Sequence, residues 1–293
     1  MHVGVLVPVG YRGELATTKP GAAWRRALAA ARQADELGFE SLWVFDHLYP
    51  VTGPHTGQVF EAFTTLAALA TATTRIRLGH LVLCAAFRNA GLTAKMAATV
   101  DTISGGRFEL GLGAGWKEDE WRAFGYDYPP IGERLRILRE HIELIRGLLE
   151  GRPVTFHGEH ARAEDALCDP PGIQRPRIPI VLGGRGPNVT FRIAARFADE
   201  LNLSQLPKEK IEALLPIIRQ RCEEIDRDPA TLRVSTYLSD EPIRRRGQER
   251  VDLLGEMANL GLARVMAFPA RWGDDPELQA SFAEDCRTAG FLS

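Results

Sequence analysis

The sequence predicts an α/β protein folded as a closed (β/α)8 barrel, the TIM barrel, with an insertion after its fourth helix. β-rich runs and helical stripes alternate eight times along the chain. Several of the runs are apolar throughout, as parallel strands buried on both faces require. The first run is not followed by the G-x-G-x-x-G typical of an open dinucleotide-binding sheet. Eight units need about 250 residues, so a chain of 293 residues leaves room for an insertion.

The first four units lie between residues 3 and 149. A short β-rich run opens the chain, and the next helix repeats apolar residues at helical spacing until Gly38 ends it. A loop rich in Gly and Trp follows the fourth strand, and the fourth helix has one apolar stripe. The predicted strands are 3–9, 39–45, 76–83 and 107–112, and the predicted helices are 21–37, 61–72, 92–103 and 131–149.

The stretch 152–177 breaks this alternation with Pro, Gly and His, and we expect it to be the insertion, with a small hairpin at its start. The alternation then resumes, and the whole chain, 1–293, is expected to form a single domain. The remaining predicted strands are 178–182, 200–203, 232–238 and 264–268, and the remaining helices are 189–197, 208–225, 248–260 and 276–286.

Composition argues against several functional classes. Lys and Arg total 36 against 38 Asp and Glu, and no run of like charge is longer than 244–246, so nucleic acid is not an expected partner. The four cysteines lie far apart without a C-x-x-C motif, which predicts a reducing cytoplasm. No apolar stretch approaches the roughly 18 residues that span a bilayer, and no secretion signal opens the chain, so we expect neither membrane insertion nor export.

In this fold, residues just after a strand line the active-site face. Asp46 and His47 directly follow the second strand, where a carboxylate can orient an imidazole and strengthen it as a base. They are predicted to form an acid/base pair, with a structural histidine as the open alternative. Arg88, after the third strand, either binds an anion or pairs with a loop carboxylate. Residues 104–107 precede the fourth strand and are expected to form a structural turn.

Two glycine-rich loops also follow strands. Residues 111–116 (GLGAGW) offer a backbone that a flat ligand can approach closely, or they form a simple tight turn. Gly183, Gly184 and Arg185 open a loop that leads into a helix, a place where N–H groups and the helix dipole accept phosphate. The alternative there is a helix start capped by Asn188. No H-E-x-x-H occurs, and His157 and His160 form an isolated pair in the predicted hairpin, so no metal site is predicted.

Several segments between residues 1 and 203 together carry a family resemblance. They are 39–48 (FESLWVFDHL), 77–79, 92–107, 111–116 with Glu120, 132–134 and 178–184. With these motifs the chain resembles the luciferase-like monooxygenase superfamily of flavin and deazaflavin barrels, and within it the oxidoreductases that depend on coenzyme F420. The resemblance implies a barrel, commonly a homodimer, that holds a tricyclic cofactor at the C-terminal face of its strands.

The resemblance also implies roles for individual residues. His47 matches a histidine that contacts the ring and serves in acid/base chemistry, and Asp46 matches its neighbouring carboxylate. Leu81 and Val82 match the place where relatives have a non-proline cis peptide behind the ring. The cofactor's tail phosphate would lie near the loop after strand five. The residues beside the ring edge would be Gly113, Ala114, Gly115 and Trp116, and those near the phosphate Gly183, Gly184 and Arg185.

One departure from the family pattern concerns the catalytic acid. Relatives that oxidise sugar phosphates have a glutamate where this chain has Trp116, so neither that acid nor that substrate class is expected here. Glu120 is the closest carboxylate and a third candidate catalytic residue, or else it holds the loop together.

Three functions follow as hypotheses. The first is F420-dependent hydride transfer to or from an organic small molecule. The second is an FMN-dependent monooxygenase that activates O2, and the third is a cofactor-binding barrel without turnover.

Overall fold

The computed structural model describes residues 1–53, 55–238, 244–268 and 275–293. Within these ranges the strands are β1 (His2–Leu6), β2 (Ser41–Val44), β3 (Arg77–His80), β4 (Leu83–Cys84), β5 (Phe108–Gly113), β6 (Val154–His157), β7 (Arg162–Ala166), β8 (Ile180–Gly183), β9 (Glu200–Asn202), β10 (Arg233–Leu238) and β11 (Arg264–Ala267). The α-helices are α1 (Pro20–Leu37), α2 (Ala62–Ala72), α3 (Ala90–Ile103), α4 (Glu118–Ala123), α5 (Ile131–Leu149), α6 (Thr190–Phe197), α7 (Lys208–Glu223), α8 (Gln248–Asn259) and α9 (Pro276–Thr288).

The strands close into a barrel in which every neighbouring pair is parallel. Around the barrel the order is β1, β2, β3, β5, β8, β9, β10 and β11, and β11 returns to β1. β4 also pairs with β5 and lies just beyond β3, so the two short strands share one position. Between them the peptide bond Leu81–Val82 is cis, as the resemblance implied. The predicted (β/α)8 barrel is confirmed.

Most of the predicted elements lie within a few residues of those in the structure, with two differences. The third predicted strand is interrupted after His80, and α4 was not predicted at all. Within the predicted insertion, β6 and β7 form an antiparallel pair that is separate from the barrel sheet. Among the described helices, none combines the length and the apolar character needed to cross a bilayer.

Local chemistry fixes where the helices begin and end. α1 starts with Pro20 in its first turn and ends at Gly38, which has a left-handed φ of 86°. At the start of α2, the Glu61 carboxylate accepts the N–H groups of Phe63 and Thr64. The turn 104–107 is structural, as expected, because Arg107 donates hydrogen bonds to carbonyl groups at the end of α2 and before β3.

The two halves of the barrel interior differ in chemistry. At the amino ends of the strands, Arg264 is buried and donates to Glu109, with Glu200 3.6 Å away. At the carboxyl ends the interior is apolar and largely aromatic. The apolar cluster at the carboxyl ends contains Leu6, Tyr11, Trp43, Phe45, Leu81, Val181, Met266 and Phe268. A charged cluster therefore fills one end, and the apolar interior faces the loops that follow the strands.

Candidate active site

His47 lies three residues beyond the end of β2, at the carboxyl end of the barrel. Its ring centroid is 5.1 Å from that of Tyr11 and 5.8 Å from that of Trp116. The side chain is 11% exposed, and its Nδ1 lies 2.9 Å from Glu120 Oε2. An imidazole is thus held among aromatic rings at the mouth of the barrel.

Glu120, in the first turn of α4, fixes both the ring and the backbone beside it. Its side chain is buried, and Oε1 accepts the N–H of Leu48 at 2.6 Å. The N–H of Tyr49 lies 3.4 Å from the same oxygen. A carboxylate only accepts hydrogen bonds, so the Nδ1 of His47 carries the proton and Nε2 is left to act as an acceptor. Glu120 therefore holds the loop, one of the two roles that the sequence offered, and it also orients the imidazole, which the sequence did not predict.

Asp46 has different partners from those predicted. Its two oxygens accept a bidentate pair of hydrogen bonds from Arg88, both 2.8 Å, and one also accepts the N–H of Cys84. The predicted contact with His47 is made by Glu120 instead. Arg88 also reaches Glu61 at 2.7 Å, so of its two predicted roles it has the pairing one.

The glycines of β5 and β8 have a packing reason for their lack of side chains. A Cβ atom on Gly113 or on Gly183 would lie 2.7 Å from Cγ2 of Val82, and one on Gly111 would collide with the carbonyl oxygen of His80. Val82 itself is half-buried. The cis peptide and its valine thus occupy the space beside both strands, and bare backbone surrounds an apolar patch.

The turn that follows β5 ends in one exposed aromatic ring, that of Trp116. Gly115 has a φ of +73°, and a Cβ there would lie 2.6 Å from the Trp121 ring, so this position needs glycine. Ala114 is half-buried against the apolar core. Trp116, in contrast, is 60% exposed. The predicted ring-edge residues therefore form a tightly packed turn that ends in an exposed indole.

The loop after β8 begins with a backbone contact and ends without a side-chain cap. Gly184 donates its N–H to the carbonyl of Asn202 at 3.0 Å. Arg185 is exposed. α6 starts after Val189, which makes no side-chain capping bond, so the alternative of an Asn188 cap is wrong. The N–H of Phe191 donates to the Gly186 carbonyl at 3.1 Å, and no side chain caps the first turn of α6, an arrangement that can accept an anion.

The aromatic wall beside His47 was missed in the sequence. Tyr11 stacks on Phe45 at 3.8 Å between ring centroids, and Phe268 packs edge-on against both. Burial raises the pKa of Tyr11 above its ordinary value, so its hydroxyl stays protonated. The available signal was that Phe45 and Phe268 end predicted strands and that Tyr11 lies two residues beyond one. Among the described residues, no group of three or more His, Cys, Asp or Glu could hold a metal ion.

Comparisons with known proteins agree with this geometry. A family model described as luciferase-like monooxygenase matches residues 1–240. A protein of Beutenbergia cavernae named F420-dependent glucose-6-phosphate dehydrogenase is 31% identical over 260 residues, which cover 86% of this chain and 74% of the relative. One of the same name from Amycolatopsis mediterranei is 33% identical over 66% of this chain and 56% of its own length.

A solved structure described as an F420-dependent secondary alcohol dehydrogenase, in complex with an F420-acetone adduct, superposes with a TM-score of 0.81. It is 19% identical and covers 98% of each chain. At this identity the likeness concerns the fold.

Proposed function

This chain belongs to the luciferase-like monooxygenase family, and on that premise we propose that it is an oxidoreductase that transfers a hydride between coenzyme F420 and an organic small molecule. The observation that carries the proposal is the pair of His47 and Glu120, an imidazole oriented by a buried carboxylate at the barrel mouth. The relatives named as F420-dependent dehydrogenases support the choice of cofactor.

The residues at the mouth fit a flat ring with a phosphate tail. The half-buried Val82 offers an apolar surface to a ring, and the glycines beside it let this valine pack directly against β5 and β8. The uncapped first turn of α6 offers N–H groups to a phosphate. The ring-edge residues in this proposal are Leu81, Val82, Gly113, Ala114, Gly115 and Trp116, and the phosphate residues are Gly183, Gly184 and Arg185.

When bound, F420 supplies the hydride chemistry, and the protein supplies orientation and proton transfer. In the reducing direction the doubly protonated ring of His47 would give its Nε2 proton to the substrate, and in the oxidising direction the ring protonated only at Nδ1 would take a proton at Nε2. Glu120 keeps Nδ1 protonated, so the exchange occurs at Nε2. Asp46 and Arg88 hold the chain between β2 and His47 in place. Glu120 and Asp46 are therefore positioning residues, and His47 is the catalytic one.

A fluorescence titration of the purified, cofactor-free protein with F420, and separately with FMN, tests the proposal. Tight binding of F420 with indifference to FMN is the expected result. Preference for FMN would favour the second hypothesis, a monooxygenase, and oxygen consumption would then be measured. Binding of F420 without reduction or oxidation of any alcohol or ketone would favour the third, a binding barrel without turnover.

We also propose that the protein is a single-domain homodimer in the cytoplasm. Leu92 and Ile103 of α3, with Leu167 and Ile173, expose about half of their surfaces, and such apolar patches often form interfaces. The four cysteines are free and buried, in keeping with a reducing compartment. Light scattering measures the mass, and a monomer would contradict the dimer. Cell fractionation tests the location.

A further inference from the structure

Trp116 is exposed to solvent, and its ring lies beside that of His47. We propose that its indole is the platform on which substrate binds, and that the substrates are uncharged aromatic ketones and the matching alcohols. This inference rests on the proposed hydride transfer at His47 and adds the substrate class to it. It assigns specificity to the residue at which the sequence departs from relatives that oxidise sugar phosphates.

The indole offers apolar surface that the protein leaves open. Trp116 is 60% exposed, whereas Trp43 and Trp121 are buried. Its ring meets the imidazole of His47 edge-on, with an interplanar angle of 72°. An aromatic substrate packed on this indole would therefore have its carbonyl group within the region that His47 serves.

The backbone that carries the indole is held rigidly. The Tyr128 hydroxyl donates to the carbonyl of Trp116 at 2.9 Å, and Arg134 donates to the carbonyl of Gly115. The Arg134 guanidinium lies 4.3 Å from the centroid of the Tyr128 ring, so the two side chains that hold the turn also contact each other. We call this pair of side chains the bracket. The backbone beneath the indole is therefore positioned before a ligand arrives, which reduces the entropic cost of binding.

The charges beside the platform disfavour a phosphorylated substrate. Lys117 pairs with Asp119 at 2.8 Å, and Arg122 pairs with Glu118 at 2.8 Å. Both carboxylates are about half exposed, and Glu120 lies beyond them. A dianionic phosphate near Trp116 would thus meet paired cations and exposed carboxylates, which costs free energy, whereas an uncharged ring would not.

The reaction balances for such a substrate. In reduction, the carbonyl carbon accepts a hydride, that is, a proton and two electrons, from reduced F420. The C–O π bond breaks, and the oxygen takes its proton from Nε2 of His47. The product is the secondary alcohol, the hydride that F420 would supply leaves that cofactor oxidised by two electrons, and the imidazole regains a proton from water.

The kinetic test compares acetophenone, acetone and glucose 6-phosphate in the wild type and in Trp116→Ala and Trp116→Phe. Aromatic pairs contribute about 0.5–1.5 kcal/mol, so the KM for acetophenone should rise roughly threefold to tenfold in Trp116→Ala. Trp116→Phe keeps a ring and should stay close to the wild type. Phe124→Ala is the matched control, since Phe124 is another exposed aromatic residue nearby, 51% exposed, and it should change nothing.

A second measurement does not depend on turnover. Acetophenone should quench part of the tryptophan fluorescence of the wild type in a saturable way. That saturable part should be absent in Trp116→Phe and present in Phe124→Ala. Absence of saturable quenching in the wild type would overturn the platform, whether or not the enzyme turns over.

The outcomes separate this inference from the proposed function. Failure to bind F420, or binding without turnover of any of the three substrates, would overturn the proposed function, while the quenching experiment still decides on Trp116. Turnover that favours glucose 6-phosphate, or an unchanged KM for acetophenone in Trp116→Ala, would overturn the substrate class and leave F420-dependent hydride transfer standing.

Discussion

His47 differs from the six other histidines of the chain in having a buried carboxylate on one ring nitrogen and the barrel mouth beside it. His80, by comparison, is buried between aromatic rings, and burial lowers its pKa well below the ordinary value. A histidine that stays neutral inside a core cannot exchange protons with substrate. Proton transfer in the proposed reaction therefore belongs to His47.

Replacing His47 with Ala should lower kcat by roughly 10²- to 10⁴-fold, the usual effect of losing a general acid or base. The dissociation constant for F420 should change less than kcat, because most of the proposed cofactor contacts lie in other loops. Steady-state kinetics and a fluorescence titration measure the two quantities. His157→Ala serves as the control, since its side chain is 66% exposed on β6. Turnover in His47→Ala equal to the wild type would contradict the assignment.

The variant Glu120→Gln distinguishes the role of Glu120 in orienting the His47 ring from its role in stabilising the fold. The amide oxygen can still accept the N–H of Leu48, but the NH2 group would face Nδ1 of His47 and favour the opposite tautomer. We expect kcat to fall by about 10²-fold or more, as in other enzymes where the histidine tautomer is inverted, with an altered pH profile and an unchanged melting temperature. A loss of melting temperature without a change in the pH profile would mean that Glu120 only supports the loop.

The sequence predicted that Asp46 and His47 follow a strand at the barrel mouth, but it did not predict which side chains form hydrogen bonds with them. Strand ends identified Asp46 and His47, but the direction of each side chain depends on where the extended backbone stops. Glu120 is 73 residues from His47 in sequence, and it reaches the imidazole only because α4 forms. That short helix begins in a loop of Gly and Trp, and no apolar stripe marks it.

At the scale of elements, β5 and β8 both pack against one valine, Val82, which lies between β3 and β4. Gly183→Ala would bring a Cβ within 2.7 Å of Val82, so we expect a loss of about 1–3 kcal/mol in stability, as for other overpacked sites. Val82→Ala in the same chain should recover part of that loss, because it removes the colliding methyl group. Melting temperatures of the two single variants and the double variant form the test cycle.

The control for that cycle is Gly132→Ala in α5, where a Cβ meets no atom within 4 Å. It should be neutral or stabilising by up to about 1 kcal/mol, because alanine has the higher helix propensity. Equal melting temperatures for Gly183→Ala and Gly132→Ala would show that the strands can move apart.

The regular alternation of elements was predictable from apolar periodicity, whereas this close approach depends on contacts between three separate strands.

At the scale of the whole molecule, the buried charges at the amino ends of the strands link opposite sides of the barrel. Arg264 is 1% exposed and contacts Glu109, Glu40 and Glu200. Arg264→Met would leave buried carboxylates without their partner, which typically costs about 3–5 kcal/mol. Arg122→Met is the matched control, since that side chain is 64% exposed and pairs only on the surface. Thermal unfolding of both variants is the measurement.

The same cluster predicts how stability depends on pH. Burial alone would raise the pKa of Glu109, but Arg264 and Arg77 outweigh it and hold the pKa below its ordinary value. A depressed carboxyl pKa adds stability above the ordinary value, and this stability is lost as pH falls toward the folded-state value. The melting temperature of the wild type should therefore fall between about pH 5 and pH 2. In Arg264→Met this acid-dependent fall should be smaller, and an equal fall in both proteins would contradict the assignment.

The bracket of Tyr128 and Arg134 has a consequence for how this barrel can diversify. It holds the turn through backbone carbonyl groups of Gly115 and Trp116, so the side chain at position 116 contributes nothing to holding the turn. A residue in such a place can be exchanged for an acid, an amide or a smaller ring at little cost to folding. New substrate ranges could therefore arise here by single substitutions, and a library at this one position would be a small and efficient starting point for redesign.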